Sequence, residues 1–132
     1  MAIDQWKSSL RRLKRKVGVI GDKVRDACHK AIENPRYDGY ADLSTASADL
    51  NGLMATIEGI KKYERMMPKG LRLQHIQNEV ANVLEMVEHT RKRMLQDPRY
   101  SVIDATADIV GELNNLYDTL GDAVEHIGHG EE

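Results

Sequence analysis

Apolar residues recur along this chain at alternating steps of three and four. In the first segment they fall at Ile3, Trp6, Leu10, Leu13, Val17, Ile20, Val24, Ala27 and Ala31 without a miss. That spacing holds all of them on one side of a 3.6-residue helix and predicts a narrow apolar seam. A second seam runs through Leu43, Ala46, Leu50, Leu53, Ile57 and Ile60 and stops before Met67-Pro68-Lys69-Gly70, where proline and glycine end a helix. A third passes through Leu73, Ile76, Val80, Val83, Val87, Thr90 and Met94. The fourth is expected along Ile103, Thr106, Val110, Leu113, Tyr117, Leu120, Val124 and Ile127, with Ile109 and Leu116 widening it on one flank. Seams of this period favour crossing angles near 20°, and short connections make successive helices antiparallel. The expected fold is therefore all-α, an elongated antiparallel four-helix bundle, with Leu50, Leu53, Val83, Val110 and Leu113 at its centre.

The bundle reads as a duplicated helical hairpin. Asn34-Pro35-Arg36-Tyr37 returns sixty-three positions later, 34 to 97, as Asp97-Pro98-Arg99-Tyr100. Each phrase sits where one helical pattern must stop and a new one start. An Asx residue before Pro is a helix-start signal, so Pro35 and Pro98 are expected at or within one turn of a helix start, with Tyr37 and Tyr100 in corresponding places at the bundle end. The same offset relates Ile20, Val24 and Ile32 to Val83, Val87 and Leu95. Further on, Ala46 to Leu50 matches Ala105 to Ile109 at an offset of fifty-nine, which suggests one extra turn in the first copy and a pseudo-twofold relation between the halves. The expected domain is single over residues 1–132: hairpin 1–67, connection 68–70, hairpin 71–128, and a tail 129–132 that lacks a seam and frays. A chain of this length buries about two-thirds of its unfolded surface without staples.

Little in the sequence points to catalysis. Cys28 is the one cysteine, so no internal disulfide or Cys-rich zinc site exists, and a reducing, cytoplasmic setting is expected. Apolar runs are only a few residues long, so no membrane span and no signal peptide are expected. The seams hold no Glu-x-x-His pair of the kind that loads metal into bundles, and Thr90 and Thr106 are expected to satisfy their hydroxyls on the preceding turn. Glu85 with His89, and Asp122 with His126, are spaced by four on outward faces and read as surface pairs. Arg25-Asp26-Ala27-Cys28-His29 is one residue shorter than the Arg-to-His interval of HEPN-type RNases, so no role is carried over. Gly18 and Gly21, with no strand before them, read as packing or bending sites. No catalytic residue, cofactor or metal ligand is assigned.

Two surfaces remain. Opposite the second seam lie Thr45, Ala48, Gly52, Ala55, Gly59, Tyr63 and Met66, a back face with no charge, where Lys and Glu are the usual occupants. Small residues at that spacing suit a second helix, and self-association as a homodimer through this face is expected. The other surface is electrostatic. Residues 1–33 carry nine basic and four acidic groups, whereas residues 98–132 carry one basic and eight acidic. Lys7, Arg11, Arg12, Lys14, Arg15 and Lys16 crowd ten residues near a helix N-terminus, where positive charge opposes the macrodipole. They have either Asp118, Asp122 and Glu125 of the neighbouring fourth helix or an anionic partner to offset them. The expected function is a non-enzymatic protein-interaction module, such as an adaptor, inhibitor or assembly component. The alternative is a nucleic-acid-binding or nucleoprotein-assembly protein that uses the basic stretch.

Overall fold

A computed structural model describes every residue except 1, 35, 38, 68–70, 98, 99, 131 and 132, and of residues 2–5 and 126–130 the backbone alone. The four seams form four helices: α1 (Ala2–Glu33), α2 (Tyr40–Lys61), α3 (Leu73–Gln96) and α4 (Ile103–Gly130), with a short 3-10 turn at Glu64–Met66. At 1.5 Å per residue α1 alone is a rod about 48 Å long. Each helix packs on two neighbours, α1 on α2 and α4, and α3 on α2 and α4, giving a closed antiparallel bundle. Every described residue of the first two seams is buried, as are Leu73 to Thr90 of the third, and Leu50, Leu53, Val83 and Leu113 are at most 1% exposed. Met94, at the end of the third seam, is only half-buried. Ile3, Ile127 and the connection 68–70 lie outside the described side chains.

The fourth seam sits one position to the side of the expected line. The buried residues are Thr106, Ile109, Leu113, Leu116, Leu120 and Ala123, while Val110 and Val124 are half-buried and Tyr117 is 40% exposed. Two adjacent apolar lines compete on this helix, and its neighbours decide between them. Tyr117 turns toward α1, where Gly18 leaves room: a Cβ at Gly18 would stand 3.2 Å from Tyr117 Cε2. Gly18 and Gly21 are thus packing sites, and Gly21 faces Leu113.

The repeat seen in the sequence holds in the structure at a constant register. At an offset of sixty-three, Ala46, Leu50, Leu53, Ile57 and Ile60 correspond to Ile109, Leu113, Leu116, Leu120 and Ala123, all buried. Helix starts at 40 and 103 and helix ends at 33 and 96 keep the same interval. The match at fifty-nine is therefore coincidental, and there is no extra turn. Contacts between the halves repeat as well. Arg91 donates to Tyr40 Oη at 3.4 Å, and at the related place Cys28 Sγ lies 3.7 Å from the Ile103 carbonyl. A pseudo-twofold axis that exchanges α1 with α3 and α2 with α4 accounts for both.

The helices stop at the repeated phrase, as expected, but the new ones start beyond it. Asn34 N donates to Lys30 O and Asp97 N to Arg93 O, both at 2.9 Å, so each Asx residue closes the last turn of its helix. The next helices begin at Tyr40 and Ile103. A proline has no N–H for the ladder and disfavours helical dihedrals in the residue before it, which is why the stop signal wins. Pro35 and Pro98 themselves are outside the described residues. Tyr37 and Tyr100 do occupy corresponding places: Tyr37 N donates to Asn34 O and Tyr100 N to Asp97 O, both at 3.0 Å. Lys30 Nζ lies 5.8 Å from the Tyr37 ring, and the Arg93 guanidinium 5.2 Å from the Tyr100 ring. The Lys30 ammonium is held above its ordinary value, first by its hydrogen bond to Asp26. Gly39, at φ 69°, enters α2 from a left-handed conformation beside Val102, its own counterpart in the second copy. A contact between equivalent positions is what such an axis would produce.

At the opposite end Arg72 precedes α3 with φ 56° and ψ 51°. A side chain in this left-handed region costs about 1–2 kcal/mol, against about 0.5–1 kcal/mol of extra unfolded-state freedom for glycine. Arg72→Gly is therefore expected to stabilise the protein by roughly 0.5–1 kcal/mol, read as a higher denaturation midpoint at unchanged slope.

Candidate functional site

The interior offers packing and little chemistry. Thr90 donates to Met86 O at 2.8 Å, and Thr106 to Val102 O at 2.7 Å, so both buried hydroxyls are satisfied on their own helices. Among the described residues no group of three His, Cys, Asp or Glu side chains converges as a metal site. Glu85 and His89 are both exposed, and the His126 side chain is outside the described set. Cys28 is half-buried beside the seam.

Polar contacts that the seams do not reveal tie the helices at their flanks. Ser47 donates to Glu88, joining α2 to α3, and Gln77 donates to Glu58 across the same pair. Between α3 and α4, Glu79 receives His75 Nε2 at 2.8 Å and Thr119 Oγ1 at 3.4 Å. These residues stand one or more positions beside seam residues. His75 and Glu79 are spaced by four on one helix, a signal the sequence carries, whereas the contacts between helices join residues far apart in the chain and have none.

The uncharged back face of α2 is open. Thr45, Ala48, Gly52, Ala55 and Gly59 are all exposed, and nothing lies within 4 Å of a Cβ placed at Gly52 or Gly59. Thr45 donates to Ala41 O at 3.1 Å and so presents its methyl group outward with its hydroxyl already satisfied. The last two members of the stripe depart from it. α2 ends at Lys61, so Tyr63 and Met66 belong to the turn beyond. Tyr63 packs partly on the core with Lys62 Nζ 5.2 Å from its ring, while Met66 is 59% exposed.

The basic stretch divides by direction. Lys14 reaches α4, with its Nζ 5.2 Å from the Tyr117 ring and close to Gly121. Lys7 Nζ lies 5.8 Å from the Trp6 ring. Arg11, Arg12, Arg15 and Lys16 are exposed and, among the described residues, form no ion pair or hydrogen bond. Asp118, Asp122 and Glu125 are likewise exposed and unpaired. α1 and α4 do pack together, yet no ion pair joins these two sets. Lys16 stands two turns from Ser9, which lines a cleft with Thr56 and Gly59, and one heptad from Lys23, which pairs with Asp49 at 3.6 Å. Lys16 and Arg12 thus border α2, while Arg11 and Arg15 lie toward the α4 side.

No helix among the described residues is long and apolar enough to cross a membrane. No protein-family model matches the chain, and no curated protein or solved structure shows significant similarity to it.

Proposed function

We propose that the chain is a non-enzymatic protein-interaction module, an adaptor, inhibitor or assembly component, whose α2 back face receives a helix of a partner protein. One observation carries this reading: Thr45, Ala48, Gly52, Ala55 and Gly59 form an exposed, uncharged line of small residues. It spans about 21 Å of helix. Gly and Ala let a second backbone approach to the short end of the 8–10 Å interaxial range, and no charge there has to be desolvated. Met66, exposed in the turn beyond α2, offers apolar area that the small residues lack. The free, half-buried Cys28 suits a reducing compartment such as the cytoplasm.

The alternative, nucleic-acid binding through the basic stretch Lys7 to Lys16, has to tolerate Asp118, Asp122 and Glu125 on the adjacent helix, which form no ion pair among the described residues. The test compares the unmodified protein with Gly52→Glu and Ala55→Arg as bait, at equal helicity. A protein retained by the unmodified bait, and bound again when purified, should be lost by both variants. Retention by both would overturn the reading. So would an oligonucleotide affinity with a steep salt slope and no retained protein.

A further inference from the structure

We infer that a second copy of this chain docks on the outer α1–α4 face, each copy setting its basic α1 segment on the acidic α4 segment of the other. This concerns assembly and stands apart from the α2 docking face. It concerns a face other than the α2 stripe, through which self-association is expected from the sequence.

The register between the two helices supports the match. Gly18 stands against Tyr117 and Lys14 against Gly121, so the pair runs antiparallel with those residues level. The same register sets Arg11 level with Glu125, and Arg15 between Asp118 and Asp122. Arg11 lies two turns before Gly18 on the α4-facing side, and Arg15 one turn after it toward solvent. Asp118 and Glu125 flank the line of Tyr117 and Gly121 on the outer side of α4. One face therefore carries a positive and a negative column side by side at equal height, with no ion pair between them.

A twofold axis parallel to the helices lays α1 of one copy on α4 of the other at that height. Arg11 then meets the second copy's acid at position 125, and Arg15 those at 118 and 122, and the arrangement repeats across the axis as an isologous interface requires. A duplex nucleic acid or an anionic lipid surface offers one sign only. It would bring its phosphates within about 10 Å of the α4 acids, a distance over which like charges still repel at about 0.1 M salt. A second copy is the occupant that complements both columns.

Sedimentation velocity tests this at about 10 mM salt, where charges act over about 30 Å, and at about 1 M, where the range falls to about 3 Å. The unmodified protein should be a dimer at low salt, with its dissociation constant raised at least about tenfold at high salt. Arg11→Glu with Arg15→Glu, and separately Asp118→Lys with Asp122→Lys, should each give a monomer. Mixed together, these two variants should form a heterodimer, since one face is now mainly negative and the other mainly positive. All four side chains are exposed, so the fold is retained, which circular dichroism checks. Gly52→Glu should leave the dimer intact. A monomeric unmodified protein at low salt would overturn the inference, as would a reversal variant that dimerises alone, a mixture that stays monomeric, or a dimer lost in Gly52→Glu.

Discussion

Leu50→Ala and Leu113→Ala should each lower the unfolding free energy by roughly 2–5 kcal/mol. Leu50 is 0% and Leu113 1% exposed, and both belong to the single core cluster that runs through all four helices. Truncation removes the transfer free energy of the lost carbons and leaves a cavity, and in a bundle held on all sides by neighbouring helices the walls relax only partly. The two positions are equivalents under the sixty-three-residue repeat, so their losses should be close. A difference between them measures how far the side chains around the two positions differ. Denaturant unfolding followed by circular dichroism reads both values, with unchanged slopes expected. A loss below about 0.5 kcal/mol at Leu113 would show that the buried line of α4 is drawn in the wrong place.

That line marks where sequence and structure part. Three seams were legible because each helix has one apolar line with polar residues on both sides, so period alone fixes the buried face. α4 has two, and period cannot choose between Ile109, Leu116 and Ala123 on one side and Val110, Tyr117 and Val124 on the other. The choice is made by α1, where Gly18 opens a space that Tyr117 fills. The repeat carried this information, since Leu50 maps to Leu113 and Leu53 to Leu116 at the offset set by the two Pro-Arg-Tyr phrases. A short local match at fifty-nine concealed it. The turn phrases show a related ambiguity, because an Asx-Pro pair both caps and stops helices. Only the backbone bonds from Asn34 to Lys30 and from Asp97 to Arg93 decide which it does here.

The surfaces were legible as composition and not as geometry. The stripe from Thr45 to Gly59 is open, as its lack of charge suggested, but a 100° wheel continued it through Tyr63 although α2 ends at Lys61. Likewise the opposite charges of the terminal helices were visible in the sequence. That Arg11, Arg12, Arg15 and Lys16 form no ion pair with Asp118, Asp122 and Glu125 was not, because pairing depends on which way exposed side chains point from two helices about 10 Å apart.

Trp6→Ala should cost about 3–5 kcal/mol, the largest single loss expected, whereas Trp6→Phe should stay within about 1 kcal/mol of the unmodified protein. Trp6 is 3% exposed and closes the core at the end away from the two Pro-Arg-Tyr turns, beside Ile60 and Tyr63. Removing the indole opens the last layer of the bundle to the cleft that Ser9, Thr56 and Gly59 already line. Phenylalanine keeps most of the apolar area. It also removes a liability, because Trp6 Nε1 is buried without a hydrogen-bond partner. An unpaired buried N–H costs about 1–3 kcal/mol, and its loss offsets the smaller ring. This chain has one tryptophan, so both variants are followed by circular dichroism rather than fluorescence. Equal losses for Phe and Ala would mean that the indole N–H makes a bond worth keeping. A small loss for Phe beside a large one for Ala would show that the ring holds this end of the bundle by packing alone.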